Sequence, residues 1–432
     1  MPTAESYHPL RTQIAGVSIV ELAQAFGTPT YVYDAAKIVE RINDLKQFDV
    51  IRFAQKACSN IAILDLVRRH GVVVDAVSTG EIHRAQRASY LAPPPATTDG
   101  RTGHAQIVYT ADIFDRDALD TVVRLGIPVN CGSPDMIDQL GQRAPGREIT
   151  LRINPGFGHG HSQKTNTGGE QSKHGIWHEQ LDDCLQRADR HGLMITGIHM
   201  HIGSGTDLEH LAQVCGAMEA AAAKVGRSIK TVSAGGGLPT PYRQGQEYVD
   251  LDKYFQLWDA SRKRLESEFG HKLTLEIEPG RYLVAESGYL ITEIRAIKQM
   301  GANTFYLVDA GFNNLARPIL YGAYHPMSIC PARASSTAAT ALNDVVVGGP
   351  LCESGDIFTQ EEGGFVSKRS LPVAAVGDYL IIERAGAYGY VMASNYNSKP
   401  LAAEVLLTAG QPHLIRARQT LDDLVRGEQI PA

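Results

Sequence analysis

Between residues 51 and 280 the sequence alternates regularly between short apolar runs and stretches with helical spacing. The first apolar runs are IRFAQ, VVVDAVS, IVYT and IPVNC, and segments such as IAILDLVRRHG follow them. Eight strand candidates occur in this region. Because their spacing is even and no dinucleotide-binding motif interrupts them, they favour a closed (β/α)8 barrel over an open doubly wound sheet.

After about residue 285 the helical spacing stops, and runs such as DVVVGGP, DYLIIERAG and AEVLLTAG are punctuated by Gly and Pro. This pattern is typical of an antiparallel β-module. The N-terminal run TPTYVYD is also strand-like and could belong to it. We therefore predict an α/β protein: a (β/α)8 TIM barrel over residues 41–284, and a second, mostly antiparallel β-domain formed by residues 1–40 and 285–432.

The composition of the chain argues against some kinds of binding partner. The chain has 432 residues and a net charge of −6, with no blocks of like charge, which argues against nucleic acid and anionic membranes as partners. No apolar run reaches the roughly 18 residues that span a bilayer, and no signal-like segment begins the sequence. Six scattered cysteines without a C-x-x-C pair favour neither disulfides nor a thiolate zinc site. We expect a soluble cytoplasmic protein.

Polar residues that end apolar runs are the candidates for chemistry, because barrel active sites lie at the carboxyl ends of the strands. Lys56 ends the first strand among small residues, where a lysine with a lowered pKa attacks carbonyl groups. A solvated lysine is the commoner alternative. The turn SAGGGLP (233–239) could offer backbone N–H groups to a phosphate, although a glycine triplet also suits an ordinary turn.

Charged and imidazole side chains end two further strands. Glu276 and Glu278 share a strand face, and a buried carboxylate there needs a partner, either a protonated heterocyclic nitrogen or Arg281. His199 and His201 also share a face, which could suit a metal, but no third ligand lies near them in sequence and we predict no metal centre. A lysine, a phosphate turn, a carboxylate and a histidine together are what pyridoxal phosphate requires.

The segment 157–175, FGHGHSQKTNTGGEQSKHG, is a long aperiodic loop after the fifth barrel strand. Loops of this length in compact domains are usually functional or disordered. Its Gly, Ser, His and Lys content suits a lid over an anionic ligand. An exposed loop without a function is the alternative.

Eight blocks in the chain show a resemblance to a known family. Among them are FAQKACSN, HMHIGSG, AGGGL, EPGRYLVAESG, GPLCESGD and GAYGYVMASNYNSKPLAAEVL. Over nearly its whole length the sequence resembles the diaminopimelate decarboxylases, which depend on pyridoxal 5'-phosphate and have the alanine-racemase-like fold, fold type III. The resemblance implies decarboxylation of meso-2,6-diaminopimelate to L-lysine and CO2, the last step of bacterial lysine biosynthesis, by a homodimer whose active sites are shared across the interface.

The resemblance also implies roles by position. Cofactor binding falls on Lys56, His201, Ser204, Gly235, Gly236, Gly237, Glu278, Pro279, Gly280, Arg281 and Tyr388. Substrate binding falls on Arg281, Arg317, Tyr321, Glu353 and Tyr388, and catalysis on Lys56, His201 and Cys352. In this scheme Lys56 anchors the aldehyde, His201 stacks on the pyridine ring, Glu278 keeps the ring nitrogen protonated, and Cys352 of the partner subunit donates a proton.

Three alternative functions stay open. Another decarboxylase of this fold would act on arginine, ornithine, carboxynorspermidine or a carrier-bound amino acid, but Arg281, Arg317 and Glu353 favour a substrate with a second carboxylate. A racemase is disfavoured by the CESGD block that contains Cys352. A non-catalytic relative is disfavoured because both Lys56 and Cys352 are present.

Overall fold

The computed structural model describes residues 8–92, 104–158, 168–201, 207–333 and 341–431. Ser204 and residues 159–167 of the predicted lid lie outside the described residues. The chain divides into two compact units. The first contains Glu40–Pro239 and Val249–Leu283, and the second contains Pro2–Val39, Thr240–Tyr248 and Val284–Ala432.

Strands are present in both units. In chain order they are β1 (Gln13–Ile14), β2 (Val17–Ser18), β3 (Thr30–Asp34), β4 (Val50–Ala54), β5 (Val73–Ala76), β6 (Ile107–Ala111), β7 (Val129–Cys131), β8 (Glu148–Asn154), β9 (Ile176–Trp177), β10 (Met194–His199), β11 (Thr231–Ser233), β12 (Thr274–Ile277), β13 (Gly288–Met300), β14 (Asn303–Val308), β15 (Met327–Cys330), β16 (Leu342–Gly348), β17 (Arg369–Pro372), β18 (Tyr379–Ile382), β19 (Ala403–Thr408) and β20 (Gln411–Arg416).

Most of the longer helices follow barrel strands. In chain order the helices are α1 (Ile19–Phe26), α2 (Ala35–Asn43), α3 (Ile61–Arg69), α4 (Thr79–Arg87), α5 (Arg116–Leu125), α6 (Pro134–Arg143), α7 (Leu181–Arg190), α8 (Leu208–Val225), α9 (Leu251–Phe269), α10 (Arg281–Val284), α11 (Arg317–Tyr321) and α12 (Leu421–Leu424). None of these described helices combines the length and the apolar composition needed to cross a membrane.

The first unit is a closed parallel barrel. Strands β4 to β8 and β10 to β12 pair in parallel, with β12 beside β4 and β8 beside β10, so the sheet has no free edge among these strands. The (β/α)8 barrel predicted from the alternating pattern is confirmed. Side chains at the strand-to-helix turns start the helices: Asn60 accepts from the backbone N–H of Ala62 (2.9 Å) and Asp115 from that of Ala118 (2.7 Å).

Each of the eight barrel strands carries a buried polar residue, and these are Arg52, Asp75, Thr110, Asn130, Arg152, His199, Ser233 and Glu276. Side chains alternate along a strand, so their apolar neighbours, such as Phe53 and Val74, lie on the opposite face toward the helices. Some of these polar residues pair with one another: Arg52 forms a bidentate ion pair with Glu276, the shorter bond being 2.9 Å. The barrel therefore has a charged, hydrogen-bonded interior.

The second unit is a mostly antiparallel sheet. Its order is β17-β16-β14-β13-β3-β19-β20, with β18 on β13 and β15 on β18. The pairs β14–β16 and β3–β19 are parallel, and the other pairs are antiparallel. Strand β3, from the run TPTYVYD, lies between β13 and β19 and so belongs to this sheet. Its core includes Val32, Ile291, Ile381 and Val405.

One segment differs from the sequence-based division. Thr240–Tyr248 lies in the second unit, whereas the pattern placed it within the barrel range 41–284. The reason is aromatic packing: the ring of Tyr242 meets the ring of His325 edge-on at 5.5 Å, and the guanidinium of Arg317 lies 4.8 Å from the Tyr242 ring centroid. Such contacts are tertiary and leave no periodic signal in the sequence.

Candidate active site

Lys56 lies at the carboxyl end of β4, in a 3-10 turn formed by Gln55–Ala57, and its side chain is partly exposed. The residues after β12 pack against this turn. The backbone N–H of Ala54 donates to the carbonyl of Pro279 (3.1 Å), and a Cβ on Gly280 would lie 3.2 Å from the Ala54 carbonyl oxygen. Closure of the barrel thus brings Lys56, Pro279 and Gly280 together.

Glu278 is buried directly after β12. Its backbone N–H donates to the carbonyl of Gly235 (2.7 Å), and its carboxylate accepts from His199 Nε2 (2.7 Å) and Ser233 Oγ (3.4 Å). Burial acts to raise the pKa of Glu278, but the hydrogen bond and charge of His199, with Arg52 farther away, hold that pKa well below its usual range. Glu278 is therefore an ionised carboxylate, and among the described residues its Oε1 accepts only the long bond from Ser233.

His201 contacts the glycine turn. The backbone N–H of Gly236 donates to His201 Nδ1 (3.2 Å), so the proton of the neutral ring resides on Nε2. Burial and the nearby cations of Arg152 and Lys56 lower the pKa of His201 well below its usual value, which keeps the imidazole uncharged. Any side chain at Gly236 would clash here, since a Cβ would lie 2.8 Å from His201 Cε1.

Gly235 shows the same close approach. It has a φ of +61°, and a Cβ there would lie 2.2 Å from the carbonyl oxygen of Met200. Glycine is required for both reasons. The structure therefore brings the predicted glycines of 233–239, His201 and Glu278 to one end of the barrel.

The chemistry of this donor set fits pyridoxal phosphate. A buried ionised carboxylate suits a protonated ring nitrogen, and an uncharged imidazole suits a ring face. Buried polar atoms without a protein partner in the described part of the chain adjoin these residues, namely His199 Nδ1 and both amide atoms of Gln55. Buried groups of this kind usually have a partner, and a ligand supplies one.

Asp75 is a site residue that sequence reasoning missed. It is buried on β5, and burial together with the charge of Glu278 raises its pKa to about 6, while Lys56 and Thr110 act in the opposite direction. Its signal in the sequence was an acid inside the apolar run VVVDA. His199 was considered only as a metal ligand, and its bond to Glu278 gives it a different role.

The described ends of the predicted lid are fixed at the end of β8. Asn154 donates to the carbonyls of Gly169 and His174 (both 3.2 Å) and accepts from the N–H of Gly156 (3.1 Å) and Gly169 (3.0 Å). His174 Nδ1 lies 2.6 Å from Asp112 Oδ2. These bonds hold both ends of the loop at the carboxyl side of the barrel, and the contacts of its central residues lie outside the described part.

The predicted substrate residues Arg317 and Tyr321 lie at the two ends of α11 in the second unit. Arg317 is 7% exposed, and its Nη1 donates to His325 Nε2 at 2.9 Å. Tyr321 is partly exposed. A pocket of about 320 Å³ in this unit is lined by Tyr242, among others, but by none of the predicted substrate-binding residues.

Cys352 and Glu353 are exposed on a turn that Asp356 shapes. The buried carboxylate of Asp356 accepts from the N–H groups of Phe312 (2.7 Å) and Leu351 (2.8 Å). Burial raises the pKa of Asp356, and these two bonds oppose that effect. Asp356 is therefore a structural residue of the turn, and Cys352 and Glu353 are the residues that the turn presents outward.

Tyr388 has a left-handed backbone, with a φ of +56°. Aromatic residues rarely adopt this conformation, and such strain concentrates at functional sites. The neighbouring Gly386 and Gly389 pack too closely against other backbone atoms to carry a side chain. A Cβ on Gly386 would lie 1.9 Å from the Val284 carbonyl oxygen, and a Cβ on Gly389 would lie 2.3 Å from the Ala385 carbonyl oxygen. The tertiary structure thus holds Tyr388 in one unusual conformation.

Comparison with known proteins shows the family to which the chain belongs. Residues 35–285 match the family model described as pyridoxal-dependent decarboxylase, pyridoxal binding domain. The chain therefore belongs to the pyridoxal-dependent decarboxylases. A diaminopimelate decarboxylase of Escherichia coli (strain K12) is 54% identical over 419 residues, which cover 97% of this chain and 98% of the relative. Within the family, the chain thus groups with the diaminopimelate decarboxylases.

Solved structures show the same relationship. A crystal structure of diaminopimelate decarboxylase, 55% identical, matches with a TM-score of 0.89 over 94% of this chain and 95% of that one. A diaminopimelate decarboxylase from Helicobacter pylori, complexed with L-lysine, is 30% identical and matches with a TM-score of 0.80 over 94% of this chain and 98% of that one. The predicted fold, a barrel with a mostly antiparallel β-domain, is confirmed.

Proposed function

We propose that this protein decarboxylates meso-2,6-diaminopimelate to L-lysine and CO2, with pyridoxal 5'-phosphate as cofactor, as the last step of bacterial lysine biosynthesis. The observation that carries the proposal is the grouping of Lys56, an ionised Glu278 and a neutral His201 at one end of the barrel. The near-full-length similarity to diaminopimelate decarboxylases supports the choice of substrate.

When bound, pyridoxal phosphate supplies an electron sink for the electron pair that remains after CO2 leaves. Lys56 would anchor the cofactor's aldehyde through its amine. Glu278, kept ionised by His199, would accept a hydrogen bond from the ring nitrogen and hold the proton there. His201 would place its uncharged imidazole against the ring face, and Ser204, the glycines 235–237 and Tyr388 would bind around the phosphate.

Selectivity lies at the distal end of the substrate. We assign the distal carboxylate to Arg281 and Arg317, the distal ammonium to Glu353, and further contacts to Tyr321 and Tyr388. A substrate without the second carboxylate forgoes the charge-assisted hydrogen bonds to these two arginines, and losing such bonds reduces kcat/KM steeply. Arginine and ornithine are therefore poor substrates.

The proton donor comes from a second subunit in this proposal. Cys352 and Glu353 are exposed on a turn whose shape Asp356 maintains, which suits residues that reach the active site of a homodimer partner. Mixing inactive Lys56→Ala and Cys352→Ala proteins tests this directly. If sites are shared, the mixed dimers contain one intact site and activity returns; if each chain serves its own site, none returns. A cytoplasmic location stays a prediction.

The substrate assignment is tested by CO2 release. The purified holoenzyme is incubated separately with meso- and LL-diaminopimelate, D-lysine, ornithine and arginine. We expect release from the meso isomer only. Comparable release from arginine or ornithine would contradict the substrate assignment but not the cofactor assignment.

A further inference from the structure

The guanidinium of Arg317 is held by a histidine. Arg317 Nη1 lies 2.9 Å from His325 Nε2, and His325 Nδ1 lies 3.0 Å from the backbone carbonyl oxygen of Glu383. Both side chains are buried, His325 at 1% exposure. The Glu383 carboxylate is engaged elsewhere, by Arg11 (2.8 Å) and Ser328 (2.8 Å).

These contacts determine the protonation of His325. A guanidinium has only donors, so Nε2 of His325 must accept. A carbonyl oxygen only accepts, so Nδ1 must donate. One neutral tautomer satisfies both bonds, whereas an imidazolium would direct an N–H at a permanent cation 2.9 Å away.

The contact of Arg317 with Tyr242 is also uncharged. Its guanidinium carbon lies 4.8 Å from the ring centroid of Tyr242, which meets His325 edge-on at 5.5 Å. A lone pair and an aromatic face orient a cation without placing a negative charge beside it. A carboxylate in either position would orient Arg317 but compete with a carboxylate ligand.

We propose that His325, in its neutral form, and Tyr242 are positioning residues that determine specificity for the distal carboxylate. They orient Arg317 through uncharged contacts, which do not compete with that carboxylate for the guanidinium. The inference rests on the proposed function, in which Arg317 binds this group. Neither residue contacts the reacting atoms.

The test compares two ligands that differ in the carboxylate alone. L-lysine and 1,5-diaminopentane are titrated calorimetrically into the holoenzyme and into four variants. His325→Leu removes the acceptor and His325→Gln keeps a neutral one; Tyr242→Leu removes the ring and Tyr242→Phe keeps it. Thermal unfolding confirms that each variant is folded. The KM and kcat for meso-diaminopimelate are measured in parallel.

In His325→Leu we expect L-lysine binding to weaken by about 10- to 100-fold, as for loss of a hydrogen bond to a charged group. In Tyr242→Leu we expect a loss of about 3- to 10-fold. In both Leu variants, the affinity for 1,5-diaminopentane should change less than about 2-fold, and the decrease in kcat/KM for meso-diaminopimelate should appear as a higher KM. The conservative variants His325→Gln and Tyr242→Phe should bind L-lysine within about 3-fold of wild type.

Equal weakening of both ligands, or unchanged L-lysine binding in a folded Leu variant, overturns the inference. If His325→Leu does not fold, the Tyr242 pair decides it. Failure of the proposed function looks different: the wild-type holoenzyme itself then releases no CO2 from meso-diaminopimelate and does not prefer L-lysine to 1,5-diaminopentane.

Discussion

Glu278 Oε2 and His199 Nε2 are 2.7 Å apart, and both side chains are almost completely buried. The bond has an electrostatic consequence. It keeps a carboxylate ionised in a position where burial alone would favour the protonated form. A negative charge is what a protonated ring nitrogen needs beside it.

The charge of Glu278 is the first point to test. Glu278→Gln keeps the size of the side chain but removes the charge, so the ring nitrogen loses its anionic partner. We expect kcat/KM for meso-diaminopimelate to fall on the order of 100-fold or more. Steady-state CO2 release measures it, with cofactor content determined separately. Full activity in a variant that retains the cofactor would rule out this role.

Lys56 is expected to be the covalent anchor. Borohydride reduction traps a lysine Schiff base, so tryptic peptides of the reduced holoenzyme should carry the cofactor's mass on Lys56. Lys56→Ala should show no adduct and no turnover. An adduct on a different lysine, or an active Lys56→Ala protein, would contradict the assignment.

The ion pair between Arg52 and Glu276 should matter mainly for stability, because Arg52 contributes less than His199 to keeping Glu278 ionised. Glu276→Leu leaves a buried guanidinium uncompensated, and we expect the free energy of unfolding to fall by about 3–5 kcal/mol. The double variant Arg52→Met/Glu276→Leu removes both charges and should recover much of that loss. Urea unfolding measures both. A large loss of kcat with unchanged stability would instead place the pair in the reaction.

The raised pKa of Asp75 predicts the direction in which folding stability changes with pH. Its pKa is about 6 in the folded protein and about 3.9 in an unfolded chain. The folded state therefore binds this proton more tightly, so the contribution of Asp75 to stability decreases as pH rises from about 4 to about 6 and is constant above that.

Asp75→Asn lacks this titration. The difference in Tm between Asp75→Asn and wild type should increase from about pH 4 to about pH 6 and then level off. Thermal unfolding across this range measures it. Asp344→Asn, at an exposed position, provides a matched control for the loss of one carboxylate. A pH-independent difference for Asp75→Asn would contradict the raised pKa.

In the turn that carries Cys352, we expect Asp356 to stabilise the fold and Cys352 to act in the reaction. Asp356→Ala leaves the N–H groups of Phe312 and Leu351 without their acceptor, and we expect a loss of about 3 kcal/mol in unfolding free energy. Cys352→Ser removes an exposed thiol, so stability should change by less than about 0.5 kcal/mol while kcat falls at least about 10-fold. Urea unfolding and CO2 release distinguish the two. Equal stability losses would contradict this division of roles.

The sequence by itself determined the barrel and one end of its site. Apolar periodicity is local, so the strands that end near Lys56 and Glu278 could be recognised from the pattern, and the fold rule placed their ends together. The glycine turn at 235–237 was visible because close approach of a backbone needs residues without a Cβ. Family resemblance added the roles of residues such as Arg317 and Cys352, which no local pattern specifies.

Only the tertiary structure decided which partners these residues have. The bonds of His199 to Glu278, of Arg52 to Glu276 and of His325 to Arg317 join residues on different elements. Such pairs depend on strand register and on how elements pack, which hydrophobic periodicity does not encode. The protonation of a buried group follows from those partners, and for that reason the charges of the site could be assigned only once the chain was folded.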